Sequence, residues 1–182
     1  MKKIIKNFIR KLRGKINIKE LEKRGLKVGK NLIVNDNCFI DPSHCWLITI
    51  GDDVILGDGV KIYSHDGSTR NLNYTKIACT TIGNRVYVSP NVVIMPGVTI
   101  GNDVIIGIGS IVFDDIPDNS VAMGNPAKVL CSLDMYNLIE QSKMNDENCF
   151  DESFTLRNKY ITQEQKDNMI DVCKKHGRAF VR

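Results

Sequence analysis

Apolar residues recur every six positions between Ile82 and Pro117. Read in sixes, the segment is IGNRVY, VSPNVV, IMPGVT, IGNDVI, IGIGSI and VFDDIP. An aliphatic residue opens each unit, and a small or short-branched residue follows four positions later. An α-helix would need an apolar period of about 3.6, and here Gly, Pro or Asn interrupts the units. The pattern instead predicts very short strands joined by tight corners.

Three such units bring the chain back above its starting point, so one coil takes 18 residues. Strands of successive coils then hydrogen-bond about 4.8 Å apart. The aliphatic residues that open the units form one continuous internal column. The predicted fold class is an all-β solenoid.

The regular phase is broken once by a long insertion. A unit opens at Ile50, and the equivalent unit of the next coil opens at Ile82 rather than at position 68. The 14 surplus residues, 68–81, are predicted to leave the coil as a loop. Insertions on a regular solenoid gather on the face that carries function. This one begins shortly after His65 and Asp66.

A shorter insertion precedes it. Units also open at Val28 and at the two following sixes, and the step from Val28 to Ile50 is 22 residues. About four surplus residues therefore lie within 44–49. His44 and Trp46, the only tryptophan, fall in this stretch.

The hexad pattern ends after position 131. Residues 133–144 and 162–175 are predicted to be helices, the second with a capping box formed by Thr162 and Gln165. Gly177 is predicted to end that helix. We expect three parts: a basic helical segment over 1–27, the solenoid with its loop over 28–131, and a helical extension over 132–182.

Charge is distributed unevenly along the chain. The net charge is +10 over residues 1–30 and −6 over the remainder. Residues 1–13 form a short basic amphipathic pattern. Such a helix either contacts an anionic membrane surface from the inner side or caps the open end of the solenoid. Nucleic acid is not an expected partner, because the rest of the chain is acidic.

Composition narrows the protein class. A length of 182 residues suits one domain, and no apolar run is long enough for a transmembrane helix. No signal peptide is apparent at the N-terminus. The six cysteines form no C-x-x-C pair, which favours free thiols and a cytoplasmic location.

Three histidines supply the candidate chemistry. His65 is predicted at a coil corner beside the long loop, within YSHDGSTR, where an imidazole suits general-base catalysis near neutral pH. The alternative is that His65 only hydrogen-bonds the loop. His44 either lines an acceptor pocket or packs at its rim. His176 ends a helix and is expected to face solvent. These histidines have no close-spaced pair, so no metal site is predicted.

Residues 97–130, GVTIGNDVIIGIGSIVFDDIPDNSVAMGNPAKVL, resemble the end of the β-helix in galactoside, maltose and xenobiotic O-acetyltransferases. The resemblance to this hexapeptide-repeat family covers roughly 28–131. It implies a left-handed parallel β-helix, although parallel crossovers are almost always right-handed. It also implies a homotrimer, acetyl-CoA as co-substrate and active sites shared between subunits.

The resemblance assigns roles to particular residues. His65 would be the general base, and the Ser89 N–H would stabilise the oxyanion. Lys128 would contact CoA phosphate. The complete set implied for CoA is Ser89, Gly107, Ile108, Gly124, Asn125, Pro126 and Lys128. Acceptor binding is predicted for the start of the loop: Asp66, Arg70, Asn71 and Tyr74. The rival interpretation of Asp66 is an Asx turn with Gly67 following.

Three departures from the family pattern concern the nucleotide end of CoA. Phe113 and Asp114 replace a Thr-Lys pair, Cys131 replaces a basic residue, and Tyr87 replaces a Trp. The leading function is O-acetyl transfer to a sugar hydroxyl in surface polysaccharide assembly. The alternatives are N-acetylation of an amino sugar nucleotide and a non-catalytic β-helix trimer.

Overall fold

A computed structural model describes residues 16–155 and 160–182. The basic helix predicted over residues 1–13 lies outside the described residues. The chain divides into two compact units, residues 1–134 and 135–182, and each is described by itself. A short helix, α1 (Ile18–Lys23), opens the described part of the first unit.

Three sheets of very short strands build the first unit. The first sheet contains β1 (Lys27–Val28), β4 (Ile48–Ile50), β9 (Thr80–Ile82) and β12 (Thr99–Ile100). The second contains β2 (Ile33–Val34), β5 (Ile55–Leu56), β10 (Tyr87–Val88), β13 (Val104–Ile106), β15 (Ser120–Gly124) and β16 (Ala127–Ser132). The third contains β3 (Phe39–Ile40), β6 (Lys61–Ile62), β11 (Val93–Ile94) and β14 (Ile111–Val112).

The order in which the chain visits these sheets defines a coil. It passes through the first, second and third sheets in turn and then repeats the sequence. Within these three sheets all pairs are parallel except β15 with β16. This cyclic parallel order is the one expected of the predicted solenoid.

Strand register reproduces the hexad phase. Val88 pairs with Ile106, a step of 18 residues. Ile50 pairs with Ile82, a step of 32, because the loop leaves the coil between them. Val28 pairs with Ile50, a step of 22, and the surplus residues form a single 3-10 turn over Cys45–Leu47.

The core is the column of residues that open the units. Ile50, Ile82 and Ile100 in the first sheet are at most 1% exposed, as are Leu56 and Val88 in the second. Each buried aliphatic side chain of this size contributes roughly 1.5–3 kcal/mol. The six-residue period therefore specifies the fold, since a shift of one residue would turn this column towards solvent.

Corners between the first and second sheets repeat a left-handed backbone. Asn31, Asp53, Arg85, Asp103 and Asn119 all have φ between 53° and 56°. Asn and Asp tolerate this region better than other residues that carry a side chain. Arg85 makes two 2.7 Å bonds to Asp103 one coil above.

The long loop has its own structure. After His65 it forms a 3-10 segment, Gly67–Leu72, and returns as an antiparallel ladder of β7 (His65–Asp66) with β8 (Lys76–Ile77). The loop thus pairs with the strand that carries His65.

The second unit is helical with one small sheet. Helix α2 (Leu133–Gln141) begins at its boundary, and α3 (Gln163–His176) follows later. Helix α2 ends three residues before its predicted end; the Ser142 hydroxyl there donates to the Ile139 carbonyl. Strands β17 (Cys149–Phe150) and β18 (Phe180–Val181) are parallel, and a 3-10 turn covers Glu152–Phe154.

The caps predicted for α3 are confirmed. Thr162 and Gln165 form the capping box, and Gly177 ends the helix with φ of 73°. Within residues 16–155 and 160–182, none of the helices is both long and apolar enough to cross a bilayer.

Candidate active site

Asp41 is the buried centre of the candidate site. It follows β3, and its N–H donates to the Ile62 carbonyl at 2.9 Å, continuing the coil ladder. Its side chain has no exposed surface. The carboxylate accepts from the Ser43 N–H at 2.9 Å, the Ser64 N–H at 3.1 Å and the Ser64 hydroxyl at 2.8 Å.

The same carboxylate contacts the Nδ1 atom of His65. Burial by itself raises the pKa of Asp41, but hydrogen bonds from His65, Ser43 and Ser64 outweigh it and lower the pKa to about 2. An ionised carboxylate at Nδ1 favours the tautomer with its proton there. Nε2 of His65 is then the basic nitrogen, and the side chain is 32% exposed.

A second imidazole lies beside the first. The ring centroids of His44 and His65 are 5.8 Å apart, and that of Trp46 is 5.2 Å from His44, edge to face. The Nδ1 atom of His44 is buried and has no partner among the described residues. A proton there would be an unsatisfied buried donor, so the tautomer protonated at Nε2 is favoured.

Asp66 organises the long loop. Its carboxylate contacts Lys76 at 2.5 Å and accepts from the Ser68 N–H at 2.8 Å and the Ser68 hydroxyl at 3.0 Å. The hydrogen bond from Lys76, followed by those from Ser68, lowers the pKa of Asp66 to about 2. The bond to the Ser68 N–H is the local turn that the sequence offered as the rival to a substrate contact.

The other predicted acceptor residues lie on the loop surface. Arg70 and Asn71 are exposed within the 3-10 segment, and Tyr74 is 78% exposed. The acceptor contacts of Asp66 and of these three residues stay predictions.

The residues predicted for CoA lie together at another edge of the coil. Ser110 joins two of them: its hydroxyl donates to the Gly107 carbonyl at 2.6 Å and accepts from the Gly124 N–H at 3.0 Å. Ile108 is 65% exposed beside them. Asn125 and Pro126 follow Gly124 in the turn between β15 and β16, joined by a cis peptide bond. A Cβ at position 107 would lie 2.7 Å from Met123 Cγ, so close packing also explains this glycine.

Ser89 differs from what the resemblance implies. Its N–H donates to the Ile106 carbonyl at 3.0 Å, as coil stacking requires. One N–H makes one strong hydrogen bond. This donor is therefore already used by the solenoid, and the geometry counts against its role at an oxyanion.

Lys128 is also engaged in a contact within the chain. Its ammonium is 2.8 Å from Asp114, and both side chains are well exposed. The acid that replaces the family's lysine thus partly neutralises the cation predicted for CoA phosphate.

The site reveals one residue that sequence reasoning missed. Asp41 lies 24 positions before His65, which conceals the pairing. The 22-residue step between coils could have revealed it. Ile40 pairs with Ile62, so Asp41 and the residues that follow Ile62 meet at one corner of the coil. A lone Asp directly after a buried strand needs such a partner.

Comparison with known proteins agrees with this fold. Residues 79–113 match the family described as bacterial transferase hexapeptide (six repeats). Over these residues the chain is similar to the hexapeptide-repeat transferases. A relative in Staphylococcus aureus (strain MRSA252), provisionally named an acetyltransferase, is 39% identical over 124 residues, 67% of this chain and 61% of the relative.

Two solved structures are similar in fold to part of this chain. A galactoside acetyltransferase in complex with coenzyme A is 36% identical, with a TM-score of 0.56 over 61% of this chain and 56% of that one. A hexapeptide-repeat acetyltransferase from Vibrio cholerae O1 biovar eltor, complexed with acetyl-CoA, is 31% identical. Its TM-score is 0.55 over 60% of this chain and 61% of that one. This chain spans about 61% of the length of the staphylococcal relative.

Proposed function

We propose that this protein transfers an acetyl group from acetyl-CoA to a hydroxyl of a sugar, with His65 as general base. The observation that carries the proposal is the partly exposed His65 imidazole held by the buried carboxylate of Asp41. Relatives named as acetyltransferases, and structures of such enzymes with CoA or acetyl-CoA, support the reaction class. The proposal includes that the coil of this chain is left-handed, as the resemblance to the family implies.

The chemistry follows from the orientation of the imidazole. The acceptor hydroxyl gives its proton to His65 Nε2 while its oxygen attacks the thioester carbonyl carbon. The resulting tetrahedral intermediate collapses, the carbon–sulfur bond breaks, and His65 returns the proton to the leaving thiolate. The ionised Asp41 stabilises the imidazolium formed between these steps. No residue is assigned to the oxyanion, because the Ser89 N–H is engaged in the coil.

The residues predicted to bind acetyl-CoA and the proposed base lie at different edges of the coil. His65 follows a strand of the third sheet, whereas Gly107 and Ile108 follow a strand of the second. One coil therefore presents them at different corners. A homotrimer with active sites between neighbouring subunits would bring the base of one chain to the CoA site of the next.

The outer face of the second sheet suits such an assembly. Ile33, Ile55, Tyr87 and Ile105 align in register across four coils and point away from the core. Ile33 and Tyr87 are 52% and 41% exposed. A continuous apolar column of this kind is usually covered in a stable protein, and a second copy of the chain is the proposed cover.

Release of the CoA thiol from acetyl-CoA, measured with a panel of sugars, tests the proposal. His65→Ala is expected to lose about 10²- to 10⁴-fold in kcat, the usual effect of removing a general base. Calorimetric affinity for CoA should remain. His176→Ala, at a histidine paired with Glu147 in the second unit, is the matched control and should retain activity. Wild-type turnover by His65→Ala would refute the assignment of the base.

A further inference from the structure

Trp46 is an exposed indole on a rigid support. Its neighbour Cys45 is fully buried, with Sγ 3.6 Å from the carbonyl oxygens of Leu21 and Arg24. The Arg24 guanidinium donates to the Pro42 carbonyl at 2.6 Å, which ties the chain just before the insertion to the same segment. Strand β4 begins at Ile48, directly after the turn, so the turn that carries the indole is held on both sides.

Packing leaves the indole little freedom at its base. A Cβ at Gly25 would lie 2.8 Å from the Trp46 Cβ, so the two backbones approach closely. The side chain is nevertheless 51% exposed. Large aromatic side chains gain most from burial, so a half-exposed indole on a fixed turn is suited to cover a ligand.

Three neighbouring rings connect the exposed indole to the proposed base, His65. Trp46 packs edge to face against His44, and His44 lies beside His65. His44 therefore separates the indole from the imidazole that would take the acceptor proton. Its favoured tautomer carries N–H at Nε2, a hydrogen-bond donor for a hydroxyl or ring oxygen.

We infer that Trp46 is a stacking platform for the pyranose ring of the acceptor, with His44 as a positioning residue between platform and base. The inference rests on the proposed function and narrows its acceptor to a cyclic sugar. A pyranose has an apolar C–H face that matches an indole, and polar hydroxyls at its rim. Stacking on Trp46 would hold such a ring flat while one rim hydroxyl reaches His65. An acyclic alcohol offers hydroxyls without that face.

Because Trp46 is the only tryptophan, its fluorescence reports on the platform directly. Methyl β-galactopyranoside and methyl β-glucopyranoside are titrated into the protein with CoA present, and glycerol serves as the acyclic control. A saturable change in emission with at least one pyranoside and none with glycerol is expected. It should persist in His65→Ala, which retains the platform. Insensitivity to every pyranoside, or an equal response to glycerol, would overturn the inference.

Kinetics separate this inference from the proposed function. Trp46→Ala should raise KM for the pyranoside by about 3- to 10-fold, the loss expected for one aromatic contact, with a smaller change in kcat. KM for glycerol and affinity for CoA should not change. Trp46→Phe keeps a ring and should recover most of the loss, which also guards against misfolding of the alanine variant. Tyr160→Ala, at an exposed ring of the second unit, is the control.

Two results would distinguish a failure of the stacking platform from a failure of the proposed function. If acetyl transfer occurs but Trp46→Ala leaves KM for every pyranoside unchanged, the platform is refuted while the proposed function stands. If no thiol is released with any sugar but the fluorescence titration saturates, acetyl transfer is refuted and the sugar platform stands.

Discussion

Asp41 shows how one buried carboxylate can serve both the site and the fold. Its pKa of about 2 lies below the ordinary value of 3.8, because hydrogen bonds to the charged form outweigh burial. A depressed pKa means that the carboxylate stabilises the folded state above about pH 4, and that this stability disappears as the pH falls towards 2. The contribution at neutral pH is about 2 kcal/mol.

Asp41→Asn should therefore change the acid limb of stability. The free energy of unfolding, measured by urea titration at several pH values, is expected to be lower than wild type at pH 7. The difference should narrow by about 2 kcal/mol between pH 5 and pH 2. Asp66→Asn is the comparison, since Asp66 also has a low pKa but makes its contacts on the exposed loop. A constant difference between wild type and Asp41→Asn at all pH values would contradict the assignment.

Asp114 is the residue whose removal should improve donor binding. It pairs with Lys128 at 2.8 Å, and an exposed pair of this kind is worth at most about 1 kcal/mol. Asp114→Asn frees the Lys128 ammonium and removes a negative charge from the edge predicted to bind the CoA phosphates. We expect a Kd for CoA lower by about 2- to 5-fold, measured by calorimetry, and a gain that shrinks at high salt. Asp171→Asn, at a similar exposed pair with Lys174, should leave the Kd unchanged. A Kd for Asp114→Asn equal to or above the wild-type value would exclude this role.

At the scale of elements, the sequence predicts the features that depend on the internal column of aliphatic residues. Strand positions and register follow from the hexads because each must present one aliphatic residue to the core, as Val88 and Ile106 do. That register also engages the Ser89 N–H in a hydrogen bond of the coil. The resemblance to relatives assigns the same N–H to the oxyanion without taking this bond into account. The inside of the long loop could not be predicted in this way. Its hairpin depends on the polar pair Asp66–Lys76, which has no periodic signal.

The loop is expected to select the acceptor without supporting the coil. Replacing residues 69–73 by two glycines keeps the Asp66–Lys76 pair and removes the exposed tip. Acceptor KM should rise, or the preferred sugar change, while the Kd for CoA stays near wild type. Lys76→Ala, which disturbs the base of the hairpin instead, shows whether loop position or tip contacts matter. Unchanged kinetics with the true acceptor would make the tip incidental, and failure to assemble would make it structural.

At the scale of the whole molecule, the proposed shared site predicts complementation between two inactive variants. His65→Ala lacks the proposed base, and Ile108→Trp fills the edge predicted for CoA at a position that is 65% exposed and outside the core. Each variant alone should assemble with a mass three times that of the 20.5 kDa chain, and each should be nearly inactive.

Mixed trimers separate the two arrangements of the site. If base and CoA edge come from neighbouring subunits, a site is intact when a chain with His65 adjoins a chain with Ile108. Unfolding and refolding an equal mixture then restores about a quarter of wild-type activity, since each condition is met by half of the chains. If one chain supplies both edges, no mixture contains an intact site and activity stays at the level of the separate variants. The placement of the two edges at different corners of the coil favours the first result.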